Sequence, residues 1–401
     1  MKLVFILLDA CTSKYVTENN MPYIYDMTKK GKYISKIFPS SGFCERSEIF
    51  TGLDCYESGN FTAIGYCPEK GEYPARGVII TLANALSKVY KRGAKYILRK
   101  YREKKKISMQ PYYIPPKSLF QYGLTEDSKE RLFNYRTIMD ELDENGYTYS
   151  LQGFTSLAQT INMKIDLISF VDKMTNENID FIPIYLGEID VVGHKNGKEI
   201  EKIIPYLQEV DLCVKKISEI AKERNYAVAV LGDHGMVPVI ETVNIFDVLK
   251  EIKIDERQYT VFLDSTMARF WFKNIDAREK VCDALKNHLR DKGIIIDETN
   301  YAQYKIPLDV CAQSGKPIYG EIIWCANPGI LIWPDYFNNP KMIDKGMHGY
   351  ICTDVEEGTG FFVSSIGSEK VESSDLKDIC KELCLILNCK EPNLNWSRKN
   401  E

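Results

Sequence analysis

Apolar residues fall along this chain in short blocks separated by polar, glycine-bearing turns. Leu3–Leu8 reads L-V-F-I-L-L, residues 181–186 read F-I-P-I-Y-L, and residues 227–231 read A-V-A-V-L. Runs of five or six apolar residues without alternation predict strands covered on both faces, as in a parallel sheet. Between them the apolar spacing widens to the helical period, predicting helices over 21–30, 45–51, 137–144, 165–174 and 200–224, with further strands over 33–38 and 147–151. This strand–helix alternation predicts an α/β fold, a central, mostly parallel sheet flanked by helices.

Two stretches break the alternation. We divide the chain into a first core part (1–66), an inserted cap segment (67–134), a second core part (135–250), a second insertion (251–320) and a last core part with a C-terminal helix (321–401). The first insertion carries ten Lys/Arg between 88 and 106, then a Tyr/Pro-rich stretch, and reads as a segment capping the site. The second predicts strands at 260–263 and 268–272 and a helix at 277–292. Strands at 322–326 and 329–333 and a helix at 375–387 follow.

Composition changes this picture little. The 401 residues are 44% hydrophobic and 27% charged, with a net charge of -4, which gives no footprint for a nucleic acid polymer. Leu3–Leu8 is too short for a signal peptide's apolar region and runs straight into Asp9. No apolar run approaches the roughly 20 residues of a membrane span. Twelve cysteines without a dense framework fit a reducing compartment. The expectation is a cytoplasmic protein, with the basic run leaving peripheral membrane contact open.

The chemistry-bearing residues stand just past strand ends, where open α/β sheets bind ligands. Asp9 follows the first block, and Asp233 and His234 follow 227–231. Only four histidines occur; three of them, His194, His234 and His348, lie in glycine-rich turn contexts. The fourth, His288, sits on a charged amphipathic stretch. Carboxylates beside imidazoles at such positions suit a divalent cation. The segment P-S-S-G-F-C-E-R-S-E-I-F-T-G, residues 39–52, ends in a helix over Glu45–Thr51 whose preceding turn would offer backbone N–H groups to an anion.

Asp9, this segment, Asp190-x-x-Gly-His194, Gly232-Asp-His-Gly-Met236 and Met347-His-Gly-Tyr350 together resemble the alkaline phosphatase superfamily. The order is most similar to its nucleotide pyrophosphatase/phosphodiesterase (type I phosphodiesterase) branch. The resemblance covers about 1–66, 135–245 and 320–370 and implies an alkaline-phosphatase-like core with the two cap segments inserted. It implies two divalent ions, zinc by preference. One would be held by Asp190, His194 and His348, the other by Asp9, Asp233 and His234 together with a nucleophilic hydroxyl.

This sequence departs from the family at that hydroxyl. Its register falls on Gly42. Ser41 is the first candidate, by a one-residue bulge; Cys44 at the helix start is the rival, followed by Ser40 or direct attack by water. Arg46 and Asn60 are the candidate substrate contacts, although the spacing to Asn60 is irregular. Phe43, Tyr66, Tyr112 and Tyr113 are available to line a pocket. The resemblance implies a metal-dependent hydrolase of phosphodiester or pyrophosphate bonds acting through a covalent phospho-enzyme on a small nucleotide-type or phospho-alcohol substrate. Two alternatives stay open: a phospho-group transferase to a glycan or lipid acceptor, and a degenerate member that binds a phosphorylated ligand.

Overall fold

The computed structural model describes residues 1–70, 73–125, 135–154, 166–252, 254–351 and 355–394. A six-stranded sheet forms the centre. In chain order its strands are β1 (Leu3–Leu8), β2 (Lys32–Phe38), β3 (Phe181–Leu186), β4 (Ala227–Gly232), β5 (Gly360–Ser364) and β6 (Lys370–Asp375). Their spatial order is β6-β2-β5-β4-β1-β3, and only β5 runs antiparallel to its neighbours. The fold is therefore α/β with a mostly parallel central sheet flanked by helices. β1 and β4 are buried along their whole length, because helices cover both faces of this sheet. One apolar layer packs the 24-residue helix Ile200–Glu223 against one face; another packs Glu45–Thr51, Ile138–Glu144 and Ile379–Leu387 against the other.

The register of the three central strands decides where the site lies. Leu8 is level with both Leu186 and Gly232. All three strands end at one height, so Asp9, the segment after Leu186 and Asp233 emerge side by side. Gly232 is needed there: a Cβ on it would meet the Cys11 carbonyl oxygen at 1.9 Å.

The second insertion and Ile322–Ala326 form a second, antiparallel sheet, Gly293–Ile296, Ile322–Ala326, Met267–Phe272 and Tyr259–Leu263 in spatial order. One apolar cluster joins residues of 64–122 to residues of 237–350 beneath it. Ile322–Ala326 belongs to this sheet and not to the central one. Ile330–Ile332 pairs instead with Glu241–Val243.

Other expectations need correction. The basic run lies almost wholly in one helix, Lys91–Lys105, preceded by a more apolar helix, Val78–Val89, from which it is separated at Tyr90, whose backbone leaves the helical region. Residues 147–151 make a single bridge, Tyr149 to Phe181, in place of a strand. Asp375 ends β6 and the helix starts at Ile379. The helix expected from Ile165 starts at Leu167; Ile165 itself lies outside the described residues, as do 126–134 of the first insertion and 395–401 of the last part. β5 and β6 have no counterpart in the sequence expectations.

Candidate metal centre

The candidate residues converge on the carboxyl edge of the central sheet in two groups. Asp9, Asp233 and His234 form the first, all buried. Asp190, His194 and His348 form the second, all half-buried. Within each group the candidate ligand atoms lie within 4.8 Å of one another.

Strand ends build the first group. Asp233 Oδ1 accepts the backbone N–H groups of Ala10 (3.2 Å) and His234 (3.0 Å), locking the carboxylate to both strand ends. His234 Nδ1 lies 2.9 Å from the Gly235 carbonyl oxygen, an acceptor only, so it donates there and turns Nε2 to the site. That Nε2 lies 3.1 Å from Asp9 Oδ1. The other Asp9 oxygen accepts the Tyr185 hydroxyl and faces Arg46 Nη2 at 3.6 Å, while the guanidinium lies over the Tyr185 ring. Asp9 thus has one oxygen held by the chain and one turned into the site.

The second group rests on a helix and a ribbon. Asp190 and His194 do not lie in a turn, as expected from the nearby glycines. They sit four residues apart on one face of the helix Glu188–Asn196. Gly346–Met347 pairs antiparallel with Val237–Pro238, which brings His348 back beside His234, their rings stacked at 4.1 Å. His194 Nδ1 donates to the Gly346 carbonyl at 2.9 Å, again turning Nε2 to the site. Asp190 Oδ1 then lies 3.1 Å from His194 Nε2 and 3.5 Å from His348 Nε2. That oxygen is buried without a hydrogen-bond partner. Converging donors without hydrogen-bond geometry are what a cation site requires, and imidazole with carboxylate is a donor set that suits zinc.

The electrostatics agree. Burial pushes the Asp233 carboxyl up to about 7; His234 and Arg46 oppose this, while Asp9 and Glu45 reinforce it. Burial would also raise Asp9, but the hydrogen bond and charge of His234, with Arg46 and His348, hold it well below the usual range. Burial, with His234 and His194 nearby, lowers His348. Burial works against the charge on His234, but Asp233, Asp9 and Glu45 hold that ring protonated well above its ordinary value, so without a cation the imidazolium supplies positive charge that a divalent ion would replace.

The Pro39–Gly52 segment is arranged differently from the expectation. Gly42 lines a small cavity of about 30 Å³ with Ser40, Glu45, His234 and His348. Ser41 lines the adjoining cleft of about 340 Å³ with Ser40, Asp54, Tyr304 and Lys305. Cys44 is buried in an apolar cluster, its sulfur 3.6 Å from Glu48 Oε1. The Cys55 contact, burial and the nearby Glu48 raise its thiol well above the ordinary value, so the helix start does not make it a thiolate. Two of the turn's amides are used within the chain: Ser40 N–H donates to Glu48 and Phe43 N–H to Phe61, while the helix start itself has no side-chain cap. Asn60 is buried and donates to the Ser47 hydroxyl at 3.0 Å, which is a scaffold contact. Arg46 reaches the site through Asp9. Tyr112 and Tyr113 line a separate pocket with Lys95 and Phe246.

Two site residues escaped the sequence reading. Tyr185 breaks an apolar strand with a hydroxyl, level with Leu7. Glu45 is an acid at the first position of a short helix that buries Ser47, Glu48 and Thr51 along with Ile49 and Phe50. It forms a third group with His234 and His348.

A mostly parallel α/β core with paired carboxylate–imidazole groups at its carboxyl edge defines a phosphoryl-transfer scaffold of the alkaline phosphatase type. The chain belongs to the type I phosphodiesterase/nucleotide pyrophosphatase family, whose model matches residues 3–351. Human ectonucleotide pyrophosphatase/phosphodiesterase 5 has the same fold, with a TM-score of 0.70 at 15% identity over 100% of this chain and 98% of that one. The murine protein in an inactive form in complex with AMP gives 0.69 at 16% identity, with the same coverage. Among curated proteins, an uncharacterized pyrophosphatase/phosphodiesterase of Schizosaccharomyces pombe is 29% identical over 105 residues, 25% of this chain and 21% of its own length. The 2,3-bisphosphoglycerate-independent phosphoglycerate mutase of Bacteroides thetaiotaomicron is 38% identical over 66 residues, 16% of this chain and 12% of its own. The chain spans about a fifth or less of these curated relatives.

Proposed function

We propose that the protein is a metal-dependent hydrolase of phosphodiester or pyrophosphate bonds in small, nucleotide-like substrates, working with two zinc ions. The supporting observation is the pair of carboxylate–imidazole groups at the sheet's carboxyl edge. Asp190, His194 and His348 would hold one ion; Asp9, Asp233 and His234 would hold the other. Bound there, the pair would supply charge stabilisation to the attacking and leaving oxygens of an in-line displacement.

The protein's own groups set the geometry. Tyr185 and Arg46 hold one oxygen of Asp9, and backbone carbonyls fix the two imidazoles, so no ligand has to reorganise during reaction. The cleft beside the site, with Tyr304 and Lys305 on its wall, offers room for the leaving group. A covalent phospho-enzyme would have to pass through Ser41, which lines that adjoining cleft, or through Ser40, which lines both cavities but whose hydroxyl accepts the Cys55 N–H; Gly42, in the hydroxyl's register, has no side chain. We therefore assign the attack to water. A P–O bond forms to the water oxygen as the bond to the leaving oxygen breaks; a water proton passes to solvent, and the departing oxygen takes a proton from solvent.

The test compares a nitrophenyl phosphodiester with the matched monoester, using protein stripped with chelator and then reloaded with zinc. Activity is expected only after reloading, with the diester cleaved faster. Equal activity in stripped protein would refute the metal dependence. A monoester favoured tenfold or more in kcat/KM, about 1.4 kcal/mol of transition-state preference, would refute the substrate class.

A further inference from the structure

In the resembled branch, a side-chain hydroxyl completes the ligand set around Asp9, Asp233 and His234. Here the register of that hydroxyl holds Gly42, and the fold requires a glycine. Its φ is +90°, and a Cβ on it would meet the Phe61 carbonyl oxygen at 2.4 Å and the Phe61 ring at 2.7 Å. No hydroxyl can be carried at this position without moving the backbone.

Glu45, three residues on, faces the same small cavity. It is buried, and its carboxylate lies within 4.8 Å of ring nitrogens of both His234 and His348. Those two imidazoles belong to different ligand groups and are stacked at 4.1 Å. A carboxylate with two oxygens can span such a pair, whereas a glycine contributes no ligand atom.

We propose that Glu45 is a seventh metal ligand, bridging the two cation positions and taking the place that a hydroxyl holds in the resembled branch. The inference rests on the two-zinc reading above. It also balances charge. Asp9, Asp190, Asp233 and Glu45 carry four negative charges against the four positive charges of two divalent ions, and a neutral assembly is the one that tolerates burial. Arg46, beside Asp9, is left as the surplus positive charge, which matches the single negative charge of a diester. Because the ligand set is complete without a serine, a water molecule and not an enzyme side chain is left to attack.

The experiment titrates stripped protein with zinc by calorimetry, with elemental analysis, and with Mn²⁺ by electron paramagnetic resonance. Wild type is expected to take up two ions and to give an exchange-coupled manganese pair. Glu45→Gln is expected to bind its second ion at least tenfold more weakly and to show uncoupled manganese. Ser41→Ala is expected to match wild type in both. Glu45→Asp keeps the charge at the helix start but withdraws the carboxylate, and should also lose the coupled signal if Glu45 acts as a ligand. Two ions with unchanged affinity and coupling in either folded Glu45 variant would overturn the inference and leave the two-metal reading standing. Fewer than two ions in wild type would overturn that reading itself, and the bridge with it.

Discussion

Two regions of this molecule bury charge, and they do it in opposite ways. In the second sheet, Arg269 Nε donates to Asp264 Oδ2 at 2.8 Å, with both side chains almost wholly enclosed. The same guanidinium donates to the Ile64 carbonyl at 2.7 Å and lies over the Phe262 ring. Each charge has its counter-charge inside the chain, although Asp264 Oδ1 and Arg269 Nη2 find no hydrogen-bond partner, and the pair ties the strand at Ile64–Tyr66 to the second sheet. At the edge of the central sheet, four carboxylates gather around three imidazoles and Arg46. There the counter-charge inside the chain is incomplete, and the ligand atoms point at one another. Buried charge that is closed on itself holds a fold together; buried charge left open calls for something from outside.

The largest effect should separate the two directly. His234→Ala should remove one zinc equivalent and lower diester turnover by about 10⁴-fold, about 5 kcal/mol, while the far-ultraviolet spectrum stays native. A variant with wild-type turnover in metal-free buffer would end the two-metal scheme. Arg269→Met should do the reverse. It strands Asp264 without a partner and should cost about 3–5 kcal/mol in urea unfolding, with zinc stoichiometry unchanged. If His234→Ala destabilised the stripped protein as much as Arg269→Met does, the two regions would not differ in kind.

A smaller effect sharpens the comparison. Zinc at a hundred times its dissociation constant should stabilise the wild type by about 3 kcal/mol, read as the shift between stripped and loaded protein. The increment should persist in Arg269→Met and shrink in His194→Ala. Gly42→Ser should cost about 1–3 kcal/mol, because the residue must adopt a positive φ against the Phe61 carbonyl. It should trap no phosphoryl group on acid quench. The smallest effect is expected at Ser41→Ala, less than threefold in kcat/KM. A near-complete loss there, with both ions still bound, would replace water with the serine as the attacking group.

Much of the central sheet was legible in the sequence. Uninterrupted apolar blocks at Leu3–Leu8, Phe181–Leu186 and 227–231 are strands because both faces of each are covered. β5 and β6 were not legible. Lys370–Asp375 is largely exposed at the sheet edge and carries no apolar pattern. The apolar helix Val78–Val89 before Tyr90 was not read either, because only the basic residues after it stood out.

The sequence by itself determined the candidate ligand types: carboxylate and imidazole just past the ends of β1 and β4, and histidine scarcity that made three of four stand out. It also determined that the nucleophile register holds a glycine. Only the tertiary structure decided how these residues group. In-register strand ends placed Asp9 beside Asp233, a helix face placed Asp190 beside His194, and a two-residue ribbon returned His348 from more than a hundred residues away to stack on His234. Only the structure turned Glu45 toward that pair and Ser41 toward the neighbouring cleft. The physical reason is that residue chemistry is local, whereas convergence depends on strand register and on side-chain direction at a helix start. Long-range pairing sets both.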